Sequence, residues 1–325
     1  MDFIISDKNR VDIGFIDESV ALDLDIGSTF DFELSVSLKQ YDAEKYAPGN
    51  IVYCLDTEYG GILDNPLIST KDNSVTFTGD TARGILKKKI IQPPQNQAYR
   101  HISGELNSCL SELINEQFDT IFDVPNHKTG VTISNFQFDR YCTLYDGIIE
   151  MLKSVNYRLK IEFVYIDNRV AIQLSAVPIV DYSKDIEFSQ DSDFQFKIQK
   201  ITNKYNYLIA LGSGELLDRE IVILHQNNNG TVRVVNSIPK GDDVKVYVYD
   251  FSSSEALESD ARKKFAEINT KDTYSMTIRE NLDIEIGDIV GGRDYVTGLV
   301  IAQAVTKKII KLNSGKCTIS YEIGG

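Results

Sequence analysis

Histidine is scarce in this sequence, and its three copies, His101, His127 and His225, stand far apart. None falls in an H-x-x-x-H or H-x-H spacing that would set two imidazoles on one metal, so they read as structural or surface residues. Cysteine is equally thin. Cys54, Cys109, Cys142 and Cys317 contain no C-x-x-C pair, which argues against a zinc knuckle or a disulfide framework and leaves reduced, mostly buried thiols. Long hydrophobic runs are missing too. The longest, such as Ile221-Val222-Ile223-Leu224, are strand-sized and far short of the roughly eighteen residues a membrane helix requires. The start, Met1-Asp2-Phe3-Ile4-Ile5-Ser6-Asp7, is acidic where a signal peptide is basic, so Sec export is not indicated. Basic residues are in deficit, 34 against 48 acidic ones, for a net charge of -14. That balance disfavours tight binding to phosphate backbones or anionic membranes. An acidic surface still suits a channel through which DNA must slide without being held.

What is present is β-patterned. At 325 residues and 42% hydrophobic content the chain is expected to form two or three folded domains. Phe30-Asp31-Phe32-Glu33-Leu34-Ser35-Val36-Ser37-Leu38 alternates without a break and predicts a half-buried strand. From Met1 to about Ile91 only strand-length segments and Gly or Asp/Asn turns are found, closed by Pro93-Pro94. The period then changes. Leu106, Leu110, Leu113, Ile114 and Phe118 form a helical stripe with Ser103 as its expected N-cap, and a second helix is expected after Thr143, capped with Asp146, burying Leu144, Ile148, Ile149 and Leu152. Val131 to Tyr141 reads as a strand, and the alternation through Leu159 to Tyr165 and Val170 to Leu174 reads as two strands turning at Asp167-Asn168. Beyond Phe194 a hairpin is expected around Asn227-Asn228-Asn229-Gly230, then one helix with the stripe Leu257, Ala261, Phe265 and Ile268 behind a Ser252-Ser253-Ser254 cap, then strands to the end.

Two stretches echo each other. Pro48-Gly49-Asn50-Ile51-Val52 and Ile286-Gly287-Asp288-Ile289-Val290 are both Gly-polar-Ile-Val corners, each with another glycine eleven residues on, Gly60 and Gly298. Each is followed by an alternating strand, Ser74 to Thr78 and Lys316 to Tyr321, and preceded by another, from Phe30 and from Thr273. Either the same β-unit occurs twice, or ordinary turn chemistry has produced one signature at two places. A duplicated unit would let three chains present six similar modules to a six-fold partner.

No catalytic constellation stands out. Gly212-Ser213-Gly214 lies in β-rich sequence and fits neither a nucleophile elbow nor a phosphate loop; it reads as a turn. Carboxylate pairs such as Asp56 with Glu58, Asp283 with Glu285 and Asp288 with Asp294 allow glycosidase-like chemistry formally, but in so acidic a chain they read as solvated strand faces. Calcium at Asp242-Asp243 or Asp288 lacks any EF-hand context. Lys87-Lys88-Lys89 and Lys307-Lys308 read as solvated strand edges, with pairing to a neighbouring subunit as the alternative. No catalytic, cofactor or metal residue is therefore assigned.

The order of segments resembles the tail hub proteins of phages of Gram-positive bacteria. The likeness is carried by Ile13-Gly14-Phe15-Ile16-Asp17, the Phe30 strand, the Gly49 corner, Gly61-Ile62-Leu63, and Val75 to Gly79 running on to Ile85-Leu86-Lys87-Lys88-Lys89-Ile90-Ile91. Lysines stand where the family often has arginine. Leu282-Asp283-Ile284-Glu285-Ile286-Gly287-Asp288-Ile289-Val290-Gly291-Gly292-Arg293 resembles the last barrel of the same hubs. The resemblance implies a mainly β (α+β) fold: a first tube-like antiparallel β-barrel over 1–92, an α/β insertion over 93–185, and a second barrel with an inserted hairpin and helix over 186–325. It implies a homotrimeric, pseudo-six-fold baseplate ring that joins the tail tube to a central spike or tip. The ring would surround the channel for the tape measure protein and DNA, contact other baseplate proteins, and need no cofactor or membrane insertion. Contractile-tail, prophage-like or tailocin particles, assembled in the bacterial cytoplasm, are the implied setting. A cell-wall-degrading tail enzyme or a carbohydrate-binding adhesin using the seventeen tyrosines are the alternatives, although most tyrosines fall within strand patterns.

Overall fold

The structure is a computed structural model that describes residues 1–17, 19–183, 187–188, 195–199, 204–227, 230–251, 256–269, 273–278, 284–293, 298, 300–313 and 315–323. The chain divides into two compact units, one of Met1–Phe196 with Ser275–Ile323, the other centred on Lys197–Tyr274.

The first unit opens with β1 (Ile4–Ser6), β2 (Asp12–Phe15), β3 (Ala21–Ile26), β4 (Asp31–Ser37), β5 (Ile51–Tyr53), β6 (Gly60–Ser69), β7 (Ser74–Thr81) and a short helix α1 (Ala82–Lys87). Next come β8 (His101–Glu105), α2 (Leu106–Asn115), β9 (Phe122–Asp123), β10 (Thr132–Gln137), α3 (Leu144–Lys153), β11 (Tyr157–Ile166) and β12 (Arg169–Pro178). After β13 (Glu187–Phe188) and β14 (Gln195–Gln199) the second unit supplies β15 (Tyr207–Leu211), β16 (Ile221–Gln226), β17 (Val232–Val235), β18 (Val246–Asp250) and α4 (Leu257–Asn269). The chain then returns through β19 (Thr273–Ile278), β20 (Ile289–Arg293), β21 (Val300–Asn313) and β22 (Lys316–Ile323). The fold is mainly β and largely antiparallel.

Local chemistry explains most element ends. Thr143 caps α3: its Oγ1 accepts from the Asp146 amide at 3.1 Å and donates to the Asp146 carboxylate at 2.6 Å. The stripe beneath it is Leu144, Ile148, Met151 and Leu152, with Ile149 only partly buried. Asp167 and Asn168 both take positive φ, 51° and 60°, closing the β11–β12 hairpin with the backbone twist that matches its strands. The expected Ser103 cap is corrected. Strand β8 continues through Glu105, so α2 begins later; the Glu105 carboxylate accepts from the Ser108 amide at 3.1 Å, while Ser103 Oγ accepts from the Asn135 amide. The expectation of strands alone before Ile91 is corrected as well, since Thr81 caps α1.

Helices α2 and α3 cover β11 and β12, and their core is continuous with the N-terminal strands: Leu110, Ile148, Leu152, Phe163 and Ile172 share one cluster with Phe30, Tyr53 and Leu86. In the second unit the sheet order is β17-β16-β15-β18, and Leu257, Ala261 and Phe265 of α4 pack on Leu208, Ala210 and Leu224. The Ser252 to Ser254 cap and the Asn228-Asn229 hairpin tip lie outside the described residues.

Candidate functional site: paired corners and the seam between them

Among the described residues one sheet runs β14-β19-β22-β21-β3-β4-β7-β6-β5-β1-β2, with β20 beside β21 and β13 beside β20. Within it β4-β7-β6-β5 and β19-β22-β21-β20 have the same local order. The two corners agree bond for bond. Gly49 N–H donates to the Leu63 carbonyl at 2.8 Å, Leu63 N–H to the Asn50 carbonyl at 2.8 Å, and Asn50 N–H to the Ala47 carbonyl at 3.1 Å. Correspondingly, Gly287 donates to Val305 at 2.9 Å, Val305 to Asp288 at 2.8 Å, and Asp288 to Glu285 at 3.1 Å. Both glycines sit at positive φ, +90° and +99°, a region costly for residues with a Cβ.

The equivalence continues along the hairpins. A bulge follows each corner-bonded residue, between Asp64 and Leu67 in β6 and between Val305 and Lys307 in β21. Past the bulges Leu67 and Ile68 face Thr76 and Val75 as Ile309 and Ile310 face Ser320 and Ile319. Turn chemistry alone does not reproduce a strand order, three hydrogen bonds and a bulge. The eleven-residue glycine spacing, by contrast, is coincidental. The β20–β21 pairing is longer, from Ile289↔Ala304 to Arg293↔Val300, so Ala302 occupies the place of Gly60, while Gly298 lies outside the strands.

The polar residue after each glycine is buried and structural. Asn50 donates through Nδ2 to the carbonyls of Glu44 and Lys45. Asp288 accepts from Arg158 Nε at 2.7 Å and from the amides of Val180 and Glu285 at 3.0 Å, so both carboxylate oxygens tie neighbouring segments to the corner.

The two copies meet where β3 pairs antiparallel with β21, from Lys308↔Ile26 to Leu312↔Leu22. Ion pairs flank this seam, Lys307 to Asp25 at 2.9 Å and Lys311 to Asp23 at 2.7 Å. At its end the strands come so close that a Cβ on Gly27 would stand 2.3 Å from the Thr306 carbonyl oxygen. Burial pushes the Asp25 carboxyl up, but hydrogen bonds from Lys307 and Ser28 outweigh it and hold Asp25 below its ordinary 3.8; burial depresses Lys307, and Asp25 and Glu322 raise it above its ordinary 10.5.

Beside the seam lies a buried charge cluster. Arg83 of α1 donates through Nε and Nη2 to one oxygen of Glu58, at 3.0 and 2.8 Å, and through Nη1 to the Tyr145 hydroxyl of α3. Lys308 of β21 is fully buried, donates to both Glu285 oxygens at 3.0 Å, and lies over the Tyr59 and Tyr321 rings. Burial and then the neighbouring Glu58 charge raise the Glu285 carboxyl, against the pull of Lys308. A cleft of about 450 Å³ opens here, lined by Glu58, Arg83, Arg158 and Glu285 among others. A raised carboxyl in a cleft is also how a general acid looks. Here each carboxylate is engaged by a cation from another element, the arrangement of a structural tie.

This corrects the sequence reading of Glu58, Glu285, Asp288 and Lys308 as solvated groups: Glu58, Asp288 and Lys308 are buried and Glu285 is partly so, and their paired opposite charges offset the loss of water. Asp56 remains exposed, and Asp283 and Asp294 lie outside the described residues. Of the other lysines of these clusters, Lys87 pairs with Asp146, Lys88 with Asp80 and Lys307 with Asp25, while Lys89 lies over the Phe118 ring. The histidines stay apart: His101 meets Gln137, His127 meets Asn107, and His225 stacks on Tyr207. Cys54 and Cys109 are buried, Cys142 and Cys317 partly so, and burial pushes all four thiols up.

Three outcomes test this geometry. Gly49→Ala is expected to lower stability by about 1–2 kcal/mol from backbone strain, and Gly287→Ala by more, because its Cβ would also meet Arg158 Cβ at 2.9 Å; thermal melts compare them. In urea at neutral pH, Arg83→Met should cost about 3–5 kcal/mol by stranding Glu58, and pairing it with Glu58→Met should restore most of that. The Asp25 contribution is present above pH 3.8 and lost as pH falls through its lower folded value, while that of Lys307 is lost only as pH rises above 10.5. The stability gap between wild type and Asp25→Asn should therefore hold across neutral pH and close in acid, as urea midpoints at several pH values will report.

Residues 18–325 match the model of the Siphovirus ReqiPepy6 Gp37-like protein family. No curated protein matches the sequence. Among solved structures, a prophage MuSo2 43 kDa tail protein from Shewanella oneidensis is similar with a TM-score of 0.58 at 10% identity, covering 99% of this chain and 98% of that one. A tail protein from Neisseria meningitidis MC58 is similar with a TM-score of 0.54 at 12% identity, covering 100% and 97%. The prophage tail protein gp18 from Listeria monocytogenes EGD-e follows at 0.50 and 14%, covering 100% and 94%. At such identities the likeness is one of fold, and it extends over nearly the whole of each chain. The match over residues 18–325 shows that the chain belongs to the Siphovirus ReqiPepy6 Gp37-like protein family.

Proposed function

We propose that this chain is the hub of a tail baseplate, three copies forming a pseudo-six-fold ring that joins the tail tube to a central spike or tip. The observation that carries the reading is the duplicated corner-and-hairpin unit: two equivalent β-modules in one chain, joined edge to edge. Six similar modules from three chains can match a six-fold partner on one side and a three-fold one on the other. On this reading residues 1–92 and 186–325 supply the two tube-like modules and residues 93–185 a peripheral α/β domain. The tape measure protein and DNA pass through the channel without being bound, in keeping with the net charge of -14. The role is structural, and no residue is assigned to catalysis, cofactor or metal.

Sedimentation velocity and negative-stain imaging of the full chain test this. The expected species has three times the 36.6 kDa chain mass and a ring outline; a chain that stays monomeric at every concentration overturns the reading. Incubation with purified peptidoglycan should release neither reducing ends nor free amines, and release of either would favour a cell-wall hydrolase.

A further inference from the structure

We propose that the outer edge of β6, Pro66–Ser69, is the docking edge for a second copy of this chain, and that the strand it receives is the neighbour's β14. The proposal rests on the ring reading above and specifies its contact.

The seam between β3 and β21 is already filled. On β21 the segment Lys308 to Leu312 uses one side for β22 and the other for β3. The corresponding segment of β6, fixed by Leu67↔Thr76 and Ile68↔Val75, uses one side for β7. Among the described residues no strand occupies its other side beyond Ile62, where the pairing with β5 stops. The side chains report the same vacancy: Ile310 is 0% exposed, whereas its counterpart Ile68 is 65% exposed and the adjacent Leu67 67%. An unpaired edge carrying two exposed aliphatic residues is a template for another strand.

The duplication also names the occupant. Strand β3 reaches β21 as the neighbour of β4, and the strand beside β19, which stands where β4 stands in the other copy, is β14. Among the described residues β14 ends the sheet on its side. One chain thus holds a filled junction, β3 on β21, and the two unfilled halves of a second, β14 and the β6 edge. Such halves join head to tail from one copy to the next, and a head-to-tail contact closes into a ring when its rotation divides the circle. If the open junction repeats the rotation of the filled one, each chain advances by two equal steps, and three chains close a six-step ring.

Two features keep the edge selective. Pro66 has no N–H to give, and the bulge interrupts the strand just before Leu67, so pairing is confined to a short segment and does not invite open-ended sheet growth. The charges differ as well. The filled seam carries Lys307–Asp25 and Lys311–Asp23; the counterparts of the two lysines on β6 are Asn65 and Ser69, and Gln195-Phe196-Lys197-Ile198-Gln199 contains no acid. The contact between copies is thus backbone pairing with aliphatic cover, and salt should weaken it little.

The test compares wild type with Leu67→Lys/Ile68→Lys in sedimentation velocity, alongside hydrogen exchange of the wild-type amides in the assembled and dilute states. The double variant should keep the wild-type thermal midpoint, because both side chains are already in water, and require at least about tenfold more protein to assemble. Amides of Leu67 to Ser69 and of β14 should gain protection on assembly. Wild type that assembles while the variant assembles equally well, or while these amides gain no protection, overturns the docking edge and leaves the ring standing. Wild type that never assembles removes both. Should the variant melt early, the wild-type exchange data decide alone.

Discussion

The backbone of β21 needs partners on both sides, and that requirement organises the molecule. One side is met by its own hairpin partner β22; the other is met by β20 at one end and, past the bulge, by β3 from nearly three hundred residues earlier. A strand buried at Val305, Ile310 and Leu312 cannot leave a row of N–H and C=O groups dry and unpaired without a cost of about 1–3 kcal/mol for each. The N-terminal copy therefore has to lie edge to edge with the C-terminal one. The close approach at Gly27, the flanking ion pairs and the charge cluster beside the seam all follow from that alignment.

The cluster shows how charge is managed at such a junction. Glu58, Arg83, Glu285 and Lys308 come from a loop, a helix, a corner and a strand that are distant in sequence. Each would be strongly unfavourable alone in this environment, so the pairs constrain which packing is allowed more than they add net stability. Tyr145 on Arg83 and Arg158 on Asp288 extend the constraint to α3 and β11. The helical segment is thereby fixed to both copies by polar contacts, in addition to the apolar core it shares with the first.

Much of this was legible from local pattern. The Thr143 cap, the Asp167-Asn168 turn, the α4 stripe and the alternation through Phe30 to Leu38 are each decided by neighbours a few residues away. The two corners were legible as well, because positive φ demands glycine and the following buried polar residue demands a short list of types. α1 was not, since a helix of little more than one turn shows no period, and its Thr81 cap follows directly on a strand. The burial of Lys308 was hidden because a lysine next to a lysine looks like a solvated edge until the opposing carboxylate, set by a distant corner, is known. The glycine spacing misled for a similar reason: the feature that the copies share is a set of hydrogen bonds, and those tolerate a longer hairpin.

The two corners, alike in geometry, differ in how far they must reach. Asn50 closes on carbonyls five and six residues upstream, so the first corner is complete as soon as its own loop has formed. Asp288 depends on Arg158, 130 residues earlier, and on the Val180 amide, 108 residues earlier. During synthesis the first module and the helical segment can mature in turn, while β3 waits for β21, a strand far downstream in the sequence. The edge that ties the copies together is thus sealed only after β21 has been made. Synthesis of β21 serves as the timing signal: a chain that stops before it keeps β3 open, and the two copies are joined only once it has been made.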